Sequence, residues 1–544
     1  MLPVPRRSRR RPFATVLLAG AVLGPAVASA TAPVGHHGAD VPELAWTDCG
    51  DGLQCSTASV PLDHDRPRGE HISLSLARLP ATDQAHRIGT LFVNNGGPGN
   101  SVIEFMHGDV HDVVPAAVQA RFDIVGFDPR GVGESTPVRC FDDTDAQQTF
   151  FGELPPFPVT PDEVTEATTA ARRLGRACAR RNGDLLDHVG TADVARDLDL
   201  LRRAVGDDQL TFAGYSYGGL IGLTYAQLYP GRVRATVLDG APDPVAWTTG
   251  TAADRKEPFS VRVDSHEAAR DALGYFLESC QQAGVQGCAF AADDTRAKFD
   301  GLMDQLRDGA IVVDLPPGPA GPGGPTPITY AFVVDSLRGA LQFPPIWGDV
   351  AGLLQVVADG AATEAVPPAL APPDEAPVDE AAAGAEPEPP AVEADEYDNS
   401  REALLAVSCS ETRNPSDPRR WVTAAERADQ DAPYFGADFT WLSLPCATWA
   451  GQERDRVVGR FDAVTANPML FVNSRFDAAS PLDGAAAVAA RTPGAALLTV
   501  EGAGHPASFL PNECLATAVS TYLIDQVVPA PGATCPAGFE PFTS

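Results

Sequence analysis

Leu210-Thr211-Phe212-Ala213-Gly214-Tyr215-Ser216-Tyr217-Gly218-Gly219 is the stretch on which the reading of this chain turns. Its first four residues read as a buried strand, and the apolar run 220–228 after the glycines reads as a helix. Between them lies the pattern Gly-x-Ser-x-Gly. So sharp a turn from strand into helix strains the backbone of the central serine, and the flanking glycines remove the Cβ clashes of the crossing. The Ser216 hydroxyl is thereby lifted to the C-terminal edge of a sheet. The Tyr217 amide, at the start of the helix, points to where charge develops on a carbonyl oxygen under attack.

The surrounding pattern supports that context. Thr90-Leu91-Phe92-Val93 reads as a strand closed by Asn94-Asn95-Gly96-Gly97-Pro98-Gly99. Residues 122–127 read as another strand, followed by Asp128-Pro129-Arg130-Gly131. Val194, Leu198, Leu201 and Val205 recur at helical spacing, and residues 233–238 form the next strand. Upstream, alternations such as Ile72-Ser73-Leu74-Ser75-Leu76 read as further strands. Strands alternating with helices predict the α/β class, a mostly parallel sheet with helices on both faces. The rhythm stops near Pro244 and returns at Met469-Leu470-Phe471-Val472 and at residues 496–500, before a last amphipathic helix at about 514–527. Residues 31–244 and 466–544 are therefore expected to build one sheet domain in two pieces. Residues 245–465 are expected to be a mainly helical cap, with a Pro/Gly-rich loop at 312–327. Residues 361–400 hold eleven acids and no Lys or Arg, which predicts a disordered acidic insert.

A serine hydroxyl needs a base to take its proton and an acid to orient that base. After His266 the chain holds one histidine, His505, just past the last expected strand. The acid is expected between Ser216 and His505 in the order Ser, Asp, His. Asp477 follows strand 469–473, whereas Asp483 lies past Pro481 on the next helix and Asp462 precedes the strand. Asp477 is the expected member. The second donor to the oxyanion is expected from the glycine loop, at the Gly97 amide, with Gly96 as the fallback.

The chain has 544 residues, 44% of them hydrophobic, enough for a large core. Its formal charge of −32 repels phosphate backbones, which argues against nucleic-acid binding. Arg6, Arg7, Arg9, Arg10 and Arg11 precede an apolar run at 13–27 and the small-residue site Ala28-Ser29-Ala30. That layout predicts an export signal peptide at 1–30, by the general or the twin-arginine route, and a secreted protein. The run is interrupted by Gly20, Gly24 and Pro25, so stable membrane insertion is not expected. The ten cysteines (Cys49, Cys55, Cys140, Cys178, Cys280, Cys288, Cys409, Cys446, Cys514 and Cys535) are expected to form disulfides in an oxidising compartment. Connectivity is open on spacing; pairing in sequence order is the simplest arrangement.

Three blocks carry a family resemblance. Asn94 to Ser101, Asp128-Pro129-Arg130-Gly131-Val132-Gly133-Glu134-Ser135, and Ser408-Cys409-Ser410-Glu411 with residues 469–505 resemble secreted bacterial tripeptidyl aminopeptidases and prolyl aminopeptidases. Asn95, Asn100 and Val102 depart from the pattern. The resemblance implies an α/β-hydrolase fold with a helical cap and a C-terminal region of the tripeptidyl-aminopeptidase-like (TAP-like) kind. It implies a serine exopeptidase acting on short peptides as a monomer, with no metal or organic cofactor. It requires a carboxylate for the substrate ammonium, for which Glu411 and Glu104 are the candidates. A secreted carboxylesterase and a catalytically inactive binding protein are the competing expectations.

Overall fold

Twelve strands are present among the described residues, which in this computed structural model are 39–315, 324–361 and 397–542. The expected signal peptide (1–30) and residues 362–396 of the expected acidic insert lie outside them. The strands are β1 (Thr47–Gly50), β2 (Leu53–Pro61), β3 (His71–Leu79), β4 (Gly89–Asn94), β5 (Phe122–Phe127), β6 (Leu210–Tyr215), β7 (Val233–Asp239), β8 (Ile311–Leu315), β9 (Gly324–Ile328), β10 (Leu470–Phe476), β11 (Ala496–Ala503) and β12 (Thr534–Pro536). Ten of them make one sheet in the order β1-β2-β3-β5-β4-β6-β7-β10-β11-β12. The β1, β2, β3 and β5 contacts are antiparallel, and every pairing from β5 through β4 to β12 is parallel.

Parallel neighbours need crossovers, and helices supply them. Helix Thr191–Ala204 leads into β6, Tyr217–Leu228 links β6 to β7, Leu482–Arg491 links β10 to β11, and Glu513–Asp525 links β11 to β12. Every residue of β4, β5 and β6 is buried, as expected for strands covered on both faces. Alternation divides them: Phe92 and Phe212 pack with Leu220 and Ile221 on one face, while Leu91, Val93 and Ala213 pack with Phe105 and Tyr522 on the other.

Between β7 and β10 lie helices and the β8–β9 hairpin. Their own apolar cluster is built around Phe276, Phe299, Trp347 and Trp421, and it includes Ala478 and Ala503 from the C-terminal ends of β10 and β11. At both ends of the expected loop 312–327 the β8–β9 pairing corrects the reading, since Val312 pairs with Pro327 and Asp314 with Pro325, while residues 316–323 lie outside the described residues. Prolines at alternate positions are tolerated in an edge strand, because the missing N–H groups need not face the partner.

All ten cysteines are paired, in sequence order: Cys49–Cys55, Cys140–Cys178, Cys280–Cys288, Cys409–Cys446 and Cys514–Cys535. Among the described residues no helix is long and apolar enough to cross a membrane.

The loop after β5 is fastened by two buried charges. Asp128 accepts the Ser101 hydroxyl and the amides of Val102, Ile103 and Glu134, so it holds the helix that follows the glycine loop. Arg130 is fully buried; it grips Asp197 through Nε and Nη2 at 2.7 and 2.8 Å and donates to the carbonyls of Pro61, Leu62 and His188. Removing the guanidinium would leave the buried Asp197 carboxylate with the His64 imidazole, 2.9 Å away, in place of a two-pronged cation. Arg130→Ala is expected to lose about 3–5 kcal/mol of stability, measured by urea denaturation. An unchanged midpoint would show that the ion pair contributes nothing net.

Candidate active site

The C-terminal ends of β6, β7, β10 and β11 are neighbours along one rim of the sheet. Ser216 sits there between β6 and its helix, with φ +54° and ψ −126°. A non-glycine residue rarely adopts that conformation, and it persists only where the surroundings over-determine it. Its amide donates to the Asp239 carbonyl at 2.8 Å. A Cβ on Gly214 would lie 2.3 Å from the Gly218 carbonyl oxygen, and one on Gly218 would lie 2.4 Å from that of Asn94. Both glycines of the motif are thus required by close backbone approach.

Asp477 and His505 converge on this serine although they lie far along the chain. His505 Nε2 is 2.8 Å from Ser216 Oγ, and His505 Nδ1 is 2.7 Å from Asp477 Oδ2. An ionised carboxylate only accepts, so Nδ1 carries the proton and Nε2 is left to accept from the hydroxyl. The other oxygen of Asp477 accepts the amides of Ala479 and Ser480 at 2.9 and 2.7 Å, which fixes the carboxylate. His505 donates its own amide to the Gln342 carbonyl in the inserted segment at 3.0 Å. Burial disfavours charge on the imidazole, but the Asp477 carboxylate and its hydrogen bond outweigh it, and the His505 pKa stands above the ordinary histidine value. Asp483 lies on helix Leu482–Arg491, and Asp462 pairs with Arg460 in an exposed loop.

Gly96 and Gly97 both have positive φ. Gly96 passes directly over the elbow, since a Cβ there would lie 2.8 Å from the Ser216 Cβ and 3.3 Å from the Tyr217 amide nitrogen. Its own amide, however, donates to Asn94 Oδ1 at 3.1 Å. The Tyr217 side chain is buried, with its hydroxyl 2.8 Å from that of Thr191.

The two carboxylates expected to meet a substrate ammonium have different surroundings. Glu411 is 1% exposed. One oxygen accepts the Thr191 amide at 2.7 Å and the other the Trp247 indole N–H, so the group is engaged inside the protein under Tyr217. Burial pushes its carboxyl pKa up. The structure thus places Glu411 away from solvent, with its oxygens on the Thr191 and Trp247 donors. Glu104 is exposed and lines a cleft of about 660 Å³ beside the glycine loop, with Asn95, Asn100, Glu134, Tyr397 and Ser400.

Asp239 and Gly240 were not singled out from sequence. Gly240 (φ +66°) lies under the imidazole: a Cβ there would be 2.8 Å from His505 Cε1 and 3.2 Å from Asp477 Oδ2. An Asp-Gly pair closing the strand beside the elbow strand was the available signal, but such pairs also end ordinary strands.

Residues 89–260 match the family described as alpha/beta hydrolase fold, and residues 432–535 match the TAP-like protein family. Serine protease Hip1 of Mycobacterium tuberculosis is 31% identical over 513 residues, covering 90% of this chain and 91% of that protein. The chain belongs to the α/β hydrolases with a TAP-like C-terminal region, and it is a serine hydrolase of that family. Among its relatives, the tripeptidyl aminopeptidase of Streptomyces lividans is 29% identical over 548 residues, covering 95% of this chain and 94% of that one. Carboxylesterase B of Mycobacterium tuberculosis is 32% identical over 565 residues, with coverage of 97% and 99%.

Two outcomes follow from the geometry. Because the imidazole must be neutral to accept a proton and its pKa is raised, kcat/KM should fall as pH drops through a value above 6.5. A pH–rate profile with its acid limb at or below that value would contradict the arrangement. Gly240→Ala should displace the imidazole and lower turnover by about 100-fold or more, as misplacement of a reacting group does, while the fold, read by circular dichroism, is retained.

Proposed function

We propose that the protein is an exported serine exopeptidase that releases short peptides, of the tripeptidyl type, from free N-termini. The observation that carries the chemistry is the His505 imidazole bridging Ser216 and Asp477 at 2.8 and 2.7 Å, and the tripeptidyl aminopeptidase relative supports the choice of a peptide substrate. Ser216 attacks the scissile carbonyl as His505 takes its proton. Asp477 holds the tautomer and stabilises the imidazolium. The Tyr217 and Gly97 amides receive the oxyanion; Gly97 is preferred because the Gly96 amide is engaged by Asn94. His505 then protonates the leaving amine, and water resolves the acyl-enzyme by the same base. Residues 245–465 act as a cap that narrows access and selects short or unfolded chains. Glu104, open to the cleft beside the glycine loop, is the candidate for the substrate ammonium. Five disulfides and the expected signal peptide support export. The carboxylesterase relative favours a second reading, the same chemistry on an ester.

Mass spectrometry of products from matched peptide pools, free or acetylated at the N-terminus, separates these readings. Free peptides should be shortened from the N-terminus about 100-fold faster, as expected when a site built for a charged group loses it. Equal cleavage of blocked peptides, or preference for simple esters, would count against the exopeptidase. Ser216→Ala should lower turnover by about 10⁴–10⁶-fold and abolish fluorophosphonate labelling; labelling that persists would sink the assignment of the nucleophile. Glu104→Gln should raise KM for free peptides by about 10-fold and leave esters untouched.

A further inference from the structure

Strand β7 ends in a buried aspartate that the reaction scheme above leaves unused. Asp239 is fully buried, and its backbone and side chain face different parts of the site. Its carbonyl accepts the Ser216 amide at 2.8 Å, which ties down the strained elbow. Its carboxylate accepts the Ala507 amide at 3.1 Å and the Ser508 amide at 2.7 Å, which ties down the turn leaving His505. The next residue, Gly240, provides the floor under the imidazole, where a Cβ would meet both the ring and the Asp477 carboxylate.

We propose that Asp239 is a positioning residue of the site: it clamps the His505 loop to the strand beside the elbow and sets a second negative charge behind the imidazole. The clamp is geometric, because one side chain spans two adjacent amides of the loop and its own carbonyl anchors the nucleophile. The charge is electrostatic, because an anion buried near the ring favours the imidazolium that forms when the serine gives up its proton. The titratable groups facing His505 are Asp477 at the end of β10 and Asp239 at the end of β7. Those facing Asp239 are Asp477 and, from β6, the Tyr215 phenol. Burial pushes the Asp239 carboxyl up to about 6, with the Ala507 and Ser508 donors opposing the rise. The group is therefore ionised where His505 is neutral and able to act as base. Removing its charge must lower the imidazole pKa, since an anion near a cation-forming group raises it.

This inference rests on the roles given to Ser216, His505 and Asp477, so its test reads the imidazole itself. In Asp239→Asn the His505 Nδ1 proton resonance, followed by NMR across pH, should titrate about one unit lower than in the parent. The acid limb of kcat/KM should move down with it. Turnover should fall about 10-fold with KM within about twofold, because the asparagine amide presents a donor where an acceptor is needed. A His505 titration that superimposes on the parent's, whatever happens to turnover, overturns the electrostatic part and leaves a loop brace only. Should the variant not fold, the parent protein decides. Its Ala507 and Ser508 amide shifts should follow the Asp239 ionisation near pH 6 and resist hydrogen exchange. Amides that exchange like those of an open loop would overturn the clamp. Failure of the catalytic reading would look different: Ser216→Ala would keep its activity while the His505 titration still responded to Asp239.

Discussion

The strained backbone of Ser216 governs the geometry of the whole site. A left-handed φ at a non-glycine residue is costly, so the neighbours must leave it no alternative. They do so by close approach: Gly214 against Gly218, Gly218 against Asn94, and Gly96 against Tyr215 and Ser216. At each of these positions a Cβ would overlap backbone atoms. The glycines therefore fix how near the helix can come to the sheet, and that nearness places the Tyr217 amide and the serine hydroxyl together.

Sheet topology supplies the partners. With β6, β7, β10 and β11 side by side and parallel, the loops at their C-terminal ends share one rim. Residues 289 positions apart meet because neighbouring strands are spaced by only about 4.8 Å. The nucleophile follows β6, and an anchoring carboxylate and a glycine floor stand at the end of β7. The orienting acid follows β10, and the base follows β11. The inserted segment touches this rim through the Gln342 carbonyl and shares an apolar cluster with the ends of β10 and β11. The substrate's approach and the base's position are in this way linked through common packing.

Three buried charged groups around the site are held by short-range partners, the carboxylates by donors and the guanidinium by acceptors. Asp128 holds the helix after the glycine loop, Arg130 and Asp197 hold the loop after β5, and Glu411 holds Thr191 and Trp247 beneath Tyr217. Such groups are poor sources of net stability but define a single arrangement, because a shifted loop would leave a charge unpaired.

The class of fold, the elbow and the three side chains brought together there were all legible along the chain. Local rules suffice for these: strand and helix periodicities, glycines where a backbone crossing is tight, and a single histidine left after His266. The order of pairing among the cysteines was only the simplest option on spacing, and the packing of their segments settled it, with Cα atoms of Cys140 and Cys178 4.2 Å apart and those of Cys409 and Cys446 4.6 Å apart. Packing between remote segments was needed to show that Glu411 is enclosed while Glu104 is open. Enclosure comes from Thr191 and Trp247, which lie 220 and 164 residues away in sequence and leave no mark on the segment around Glu411. The same holds for Asp239 and the His505 loop, since an aspartate ending a strand looks the same in sequence whatever the neighbouring loop does. The β8–β9 hairpin was hidden for a related reason: proline and glycine signal a loop locally, and only the presence of a pairing strand makes an edge of them.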